Sequence, residues 1–237
     1  RAFPVTASPI LAAVSRECRA ARASVGIFDA STLGKIEVTG PDAVTFMERM
    51  YTNPWAKLGV GRCRYGLLLG EDGFIRDDGV IGLSAEAFPH MAVIETTVAG
   101  FPARLFRVSF TGELGFEVNV PARHGRALWE KLMDAGQQYD ITPYGTEAMH
   151  VMRAEKGYII VGQDTDGTLT PDDANLNWAI GKLKPDFVGK RSLTRPDMVA
   201  KGRKQLVGLL TDDPQVVLQE GAQIVAGERG DRCFGAG

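Results

Sequence analysis

Apolar positions recur along this chain in two periods, near 3.6 and near 2, and the switches between them outline its elements. Over 10–24, Leu11, Val14, Cys18 and Val25 fall near one helical face; Ser8-Pro9 supplies a capping hydroxyl and a proline for the first turn, and Gly26 closes the helix. Lys35-Ile36-Glu37-Val38-Thr39 alternates like a half-buried strand, and Gly40-Pro41 then turns the chain into a helix over 43–51. A hairpin is predicted next, from an apolar strand over 65–69, a tight turn at Glu71-Asp72-Gly73 and a second strand ending in Asp77-Asp78. A strand over 105–110 places Phe106, Val108 and Phe110 on one face and returns through Thr111-Gly112-Glu113-Leu114-Gly115 into a strand over 116–120. Helices follow over 125–138, with Leu128, Trp129 and Leu132, and over 146–156, with Ala148, Val151 and Met152 inward; strands over 205–210 and 222–226 end the series. Strands and helices mix without regular βαβ alternation, so the predicted class is α+β.

The hairpin carries the chemistry. Neighbouring strand residues face opposite sides, so one of Asp77 and Asp78 faces solvent and the other faces whatever the hairpin covers. A carboxylate held against an apolar sheet, with Tyr65 on the partner strand, is costly without a partner or a task. An acidic strand-end turn is the plainer alternative from the hairpin alone.

Composition narrows the classes. With 237 residues, 44% hydrophobic and 24% charged, the chain suits one large domain or two closely packed ones. A net charge of -2 gives no global reason to expect nucleic acid or an anionic membrane. No apolar run spans a bilayer, no signal-peptide pattern opens the sequence, and Cys18, Cys63 and Cys233 are odd in number and widely spaced. These features predict a reducing, cytoplasmic setting, and the dispersed His90, His124 and His150 predict no metal site. There is no P-loop, and Arg64 stands where a dinucleotide fingerprint beginning at Gly59-Val60-Gly61 needs its third glycine.

Several segments, taken in order, carry a resemblance: 21–29, 34–43, the Tyr65…Asp77-Asp78 hairpin, Thr111-Gly112-Glu113 with Gly115-Phe116-Glu117, Arg153-Ala154-Glu155, Gly162-Gln163-Asp164, and Asp186-Phe187-Val188-Gly189-Lys190. Together they resemble the folate-binding aminomethyltransferases, the T-protein of glycine cleavage and its relatives. Over 109–121, 144–150 and 204–210 the wording is nearest to the folate domains of heterotetrameric sarcosine oxidase alpha subunits. A T-protein would carry an Arg-Asp pair where Met149-His150 stands here, and usually Tyr where Phe110 stands.

The resemblance implies the T-protein folate-binding fold, with mixed and antiparallel sheets, packed helices and an incomplete small C-terminal β-barrel. It implies a folate-binding domain over 1–200 and the start of the barrel over 201–237. It further implies a tetrahydrofolate site and capture of the imine of sarcosine oxidation as 5,10-methylenetetrahydrofolate, with flavin and NAD held elsewhere in the complex. The expected partners are folate, a small secondary amine or its imine, and the other oxidase subunits. Asp78 matches the catalytic carboxylate; Tyr65, Phe110, Glu117 and Tyr158 match cofactor-binding positions. The alternating strand puts Phe116, Val118 and Val120 inward and Glu117 on the other face, so Glu117 reaches folate only if that face lines the pocket. A free-standing aminomethyltransferase and a non-catalytic folate- or partner-binding module are the alternatives. Between Asp78 and Thr111 the relatives carry several dozen more residues, so a missing segment is expected near 82/83.

Overall fold

The structure is a computed structural model that describes residues 9–82 and 89–213, residues 216 and 218, and a short ladder of 224–225 with 233–234. In chain order its elements are α1 (Pro9–Ala23), β1 (Gly26–Ile27), α2 (Ala43–Met50), β2 (Cys63–Leu69), β3 (Ile75–Gly82), β4 (Val93–Val98), β5 (Phe101–Phe106), β6 (Glu117–Asn119), α3 (Gly125–Gly136), β7 (Thr142–Pro143), α4 (Thr146–Glu155), β8 (Ile224–Val225) and β9 (Cys233–Phe234). The class is α+β. β2 pairs antiparallel with β3, β4-β5-β6 form an antiparallel sheet, β1 and β7 make a short parallel pair, and no barrel closes among the described residues.

The two main sheets are spliced rather than stacked. The Cys63 N–H donates to Met91 O (2.9 Å), the Val93 N–H donates to Gly61 O (3.1 Å), and an Arg62–Ala92 bridge joins the start of β2 to the start of β4. Leu67, Leu69 and Ile75 of the hairpin bury against Ala174, Leu176, Ala179 and Phe187, which lie in short turns and irregular chain. A second cluster joins α1 to α4 through Cys18, Ala148 and Met152, with Val14, Ala21 and Tyr144 around it. That contact is narrow. Leu11, Val25 and Val151, expected inward, are exposed beside it.

Several strand expectations are corrected. Residues 35–39 join no sheet, and Ile36 is 89% exposed. Side chains hold this stretch instead: Lys35 donates to Ala30 O (2.9 Å), and Glu37 pairs with Arg104 (3.5 Å). Residues 205–210 also make no ladder. Leu206 alone is clasped there, its N–H donating to Asp173 O (2.8 Å) and its carbonyl accepting from the Asn175 side chain (2.9 Å). β5 stops at Phe106, so Phe110 lies beyond any strand, and β3 runs on to Gly82 rather than ending at the aspartates. Phe116, expected inward, is exposed and precedes β6. The Ser8 cap and much of 222–226 lie outside the described residues; within the latter, 224–225 do form β8.

Gly189 shows why one segment of the resemblance is constrained. It has φ +84°, and a Cβ there would come within 2.4 Å of Gly70 O in the β2–β3 turn. Both the left-handed backbone and the backbone contact oppose any side chain. Gly189→Ala is expected to destabilise the fold by at least about 2 kcal/mol, read as a shift of the urea midpoint at unchanged slope.

Candidate functional site

Asp78 owes its position to a bulge. Register runs Cys63↔Gly82 through Leu67↔Asp78 and Leu68↔Asp77, then jumps to Leu69↔Ile75, leaving Arg76 as the extra residue. Without the bulge, strict alternation along 75–78 would put Asp77 on the same face as the buried Ile75 and Asp78 on the other. With it, Asp78 shares the apolar face of Tyr65, Leu67 and Ile75, while Asp77 is turned out to solvent. The displaced Asp77 carboxylate accepts the backbone N–H of Asp78 (2.9 Å).

Tyr65 lies diagonally across the ladder, and its hydroxyl donates to Asp78 Oδ2 at 2.7 Å. Burial raises the Asp78 carboxyl above the ordinary carboxylate range; the Tyr65 hydrogen bond opposes that rise, and the Asp77 charge adds to it. Burial likewise pushes the Tyr65 phenol well up, reinforced by the negative charge of Asp78. The phenol therefore stays a donor throughout the neutral range.

The strand under this pair is tied down from behind. Asn53 acts as a surrogate strand, donating to Tyr65 O (3.1 Å) and accepting the Leu67 N–H (3.2 Å). Asn53 O in turn accepts from the buried Lys184 ammonium (2.7 Å), which also reaches Tyr51 O (2.7 Å) and Glu48 (3.0 Å).

Glu117 opens β6 opposite Phe106, in the row that continues to the buried Val93. Its side chain reaches solvent, yet protein atoms crowd it enough that burial raises its carboxyl, with Lys35 opposing. It is exposed, with no hydrogen-bond donor of the described residues on its carboxylate. Its charge is felt at Cys63, whose thiol is pushed up to about 11, chiefly by burial. Cys63 and the Asp78-facing Leu67 lie roughly 13 Å apart along β2 at ~3.3 Å per residue.

Phe110 and Tyr158 form a third group, rings stacked with centroids 6.2 Å apart and planes at 21°, each partly exposed. Arg153 fixes the Tyr158 turn from below: it is buried, donates to Tyr158 O (3.0 Å) and pairs with Asp164. The sequence-predicted residues thus meet as two pairs, Tyr65 with Asp78 and Phe110 with Tyr158, while Glu117 stands alone. No hydrogen bond or ring contact among the described residues links the three groups. Sequence reasoning missed Trp178, whose ring centroid lies 5.5 Å from that of Tyr65. Its only signal is a tryptophan following a Pro-Asp-Asp-Ala-Asn loop, which no periodicity marks.

The fold defines a class of protein. The family model described as the GCVT N-terminal domain matches residues 2–86 and 81–184, and the chain belongs to the glycine-cleavage T-protein, or aminomethyltransferase, family. The chain is similar to "Sarcosine oxidase subunit alpha" of Corynebacterium sp. (strain U-96), at 42% identity over 294 residues, covering 95% of this chain and 30% of that protein. It is 34% identical to the protein of the same name from Rhizobium meliloti (strain 1021), over 90% of this chain and 28% of that one. It is 28% identical to "Aminomethyltransferase" of Chlorobaculum parvum, over 89% of this chain and 73% of that one. The crystal structure of glycine cleavage system aminomethyltransferase T from Bartonella henselae superposes with a TM-score of 0.68 at 26% identity, covering 76% of this chain and 64% of that one. The chain thus spans about 30% of the length of the sarcosine oxidase subunits it matches.

Proposed function

We propose that this chain is a tetrahydrofolate-binding one-carbon transfer domain, working within a sarcosine oxidase alpha subunit on the imine formed when sarcosine is oxidised. The observation that carries the reading is the Tyr65–Asp78 pair. A bulge places a carboxylate on the apolar face of a hairpin, where a phenol donor orients it and burial works against its charge. Evolution gains nothing in stability from that arrangement, and a chemical task accounts for it.

The residues present fit a reduced folate. The adjacent N–H groups of a pterin edge need a carboxylate with free lone pairs, and the exposed Glu117 offers one. A planar ring needs flat apolar surface, which the exposed Phe110–Tyr158 stack supplies. Tetrahydrofolate, when bound, supplies the nitrogen nucleophile that accepts the one-carbon unit. Asp78, ionised above its raised pKa, would stabilise the positive charge on the iminium substrate and take up a proton on the carboxylate that Tyr65 holds by Oδ2. Tyr65 would hold the carboxylate in that orientation.

The oxidase setting rests on the 42% identity to the Corynebacterium subunit. With it come the proposals that flavin and NAD belong to other parts of the complex, that the other subunits are partners, and that the protein is cytoplasmic. The domain division at 200/201 is also a proposal. The family match breaks into two stretches that meet at 81–86, which supports a segment present in relatives and absent here.

The test is titration with tetrahydrofolate. Binding is expected, and Glu117→Gln should weaken it by about 10- to 100-fold, the loss of a charge-assisted pair of hydrogen bonds. Because the charged form is disfavoured by burial, the same variant should be no less stable than the parent by thermal melting. Absence of binding to the parent chain would sink the folate reading.

A further inference from the structure

Trp178 is held rigidly and left uncovered. It lies in the short 3-10 turn Asn177–Ala179, anchored on both sides: the Asn177 amide donates to Asp172, and Ala179 is 2% exposed in the core with its carbonyl accepting the Thr52 hydroxyl (3.0 Å). Between these anchors the Trp178 side chain projects outward, 67% exposed. It does not lie free on the surface, because its ring leans on Tyr65 with planes at 35°, and the Tyr65 hydroxyl holds Asp78. An indole fixed by its backbone but open to solvent, packed on the tyrosine that holds a carboxylate of the apolar face, brings two recognition chemistries to one tyrosine. A carboxylate alone attracts any cation, including strongly hydrated ones. An aromatic face favours cations that shed water readily, which alkylated nitrogens do.

We propose that Trp178, with Tyr65 and Asp78, forms a box for a small N-alkylated ammonium or iminium cation, the amine-side substrate of the transfer. This rests on the reading of Asp78 given above and adds to it the side chain that selects the amine. Trp178 is a binding residue here, its π face toward the cation, and the folate is met elsewhere, at Glu117 and the Phe110–Tyr158 stack.

Trimethylammonium chloride and tert-butanol, similar in shape and different in charge, serve as probes in ligand-observed NMR titrations of the chain. Trimethylammonium is expected to bind in preference to tert-butanol. Trp178→Leu should weaken it by about 5- to 30-fold, and Trp178→Phe should retain most of the affinity. Tetrahydrofolate affinity should be unchanged in Trp178→Leu, which also shows that the variant folds. Equal binding of the two probes, unchanged trimethylammonium affinity in Trp178→Leu, or loss of tetrahydrofolate binding in that variant would each overturn the assignment. If Asp78→Asn weakens the cation while Trp178→Leu does not, the tryptophan inference fails and the carboxylate reading stands. If neither variant matters and tetrahydrofolate does not bind, the underlying reading fails.

Discussion

Asp78→Asn is expected to lower one-carbon transfer to tetrahydrofolate by about 10²- to 10⁴-fold in the intact protein, with tetrahydrofolate affinity little changed. The amide keeps the shape of the carboxylate and can still accept the Tyr65 hydroxyl, so the defect would lie in charge and basicity rather than in packing. The same substitution should raise the melting temperature near pH 7. The sign follows from linkage: Asp78 has a raised pKa in the folded state, so the native protein binds that proton more tightly than the unfolded chain. Its stabilising contribution is complete below the unfolded carboxylate value of about 3.9 and is lost as pH rises through the folded value. Above that value the parent carries a disfavoured charge that the asparagine variant lacks. The gap in melting temperature between variant and parent should therefore open as pH rises and close on acidification. A variant that is inactive and also less stable would point to a structural role for Asp78, and full activity would remove it from the chemistry.

Much of this arrangement is legible in the order of residues, and what is not has identifiable causes. The helices α2, α3 and α4 follow from strong 3.6-residue periodicity and clear breakers, and α1 from its proline start. The closeness of Tyr65 and Asp78 follows from a short turn and a face shared across a ladder. The choice of Asp78 over Asp77 does not, because the bulge at Arg76 leaves no mark in the alternation. β4 escapes notice for a similar reason. Its hairpin to β5 turns on Ala99 and Gly100, both at positive φ, and alanine gives none of the usual signal for such a turn. Conversely, 35–39 has the period of a strand and no ladder, since alternation shows that a segment could pair and says nothing about a partner. The largest gap is the region after α4. Ala174, Leu176, Ala179 and Phe187 build the core under the hairpin from turns and irregular chain, where apolar spacing has no period to read. Trp178 belongs to that region and is invisible for the same reason.

Lys184→Met should be the most destabilising of the substitutions considered, by about 3–5 kcal/mol, seen as a fall in melting temperature of roughly 10 °C. The ammonium is buried, and burial lowers its pKa against the pull of Glu48. What keeps it charged and in place is a full set of acceptors: Tyr51 O, Asn53 O and the Glu48 carboxylate. Methionine fills much of the same volume, so the loss would come from acceptors left without a donor rather than from a cavity. Because Asn53 bonds to Tyr65 O and to the Leu67 N–H, loosening 51–53 would slacken the strand that presents Tyr65 to Asp78. Transfer should then fall together with stability, unlike in Asp78→Asn, where the two move in opposite directions. The double substitution Glu48→Leu with Lys184→Met separates the contributions. Removing both charges should recover part of the lost stability, since a half-buried carboxylate that has lost its cation keeps its desolvation cost, while the Ala56 N–H it also accepts (2.7 Å) loses its acceptor. The two carbonyls would still lack their donor, so the recovery should be incomplete. A double variant no more stable than Lys184→Met would place the whole effect in the carbonyl bonds that hold 51–53 under the site.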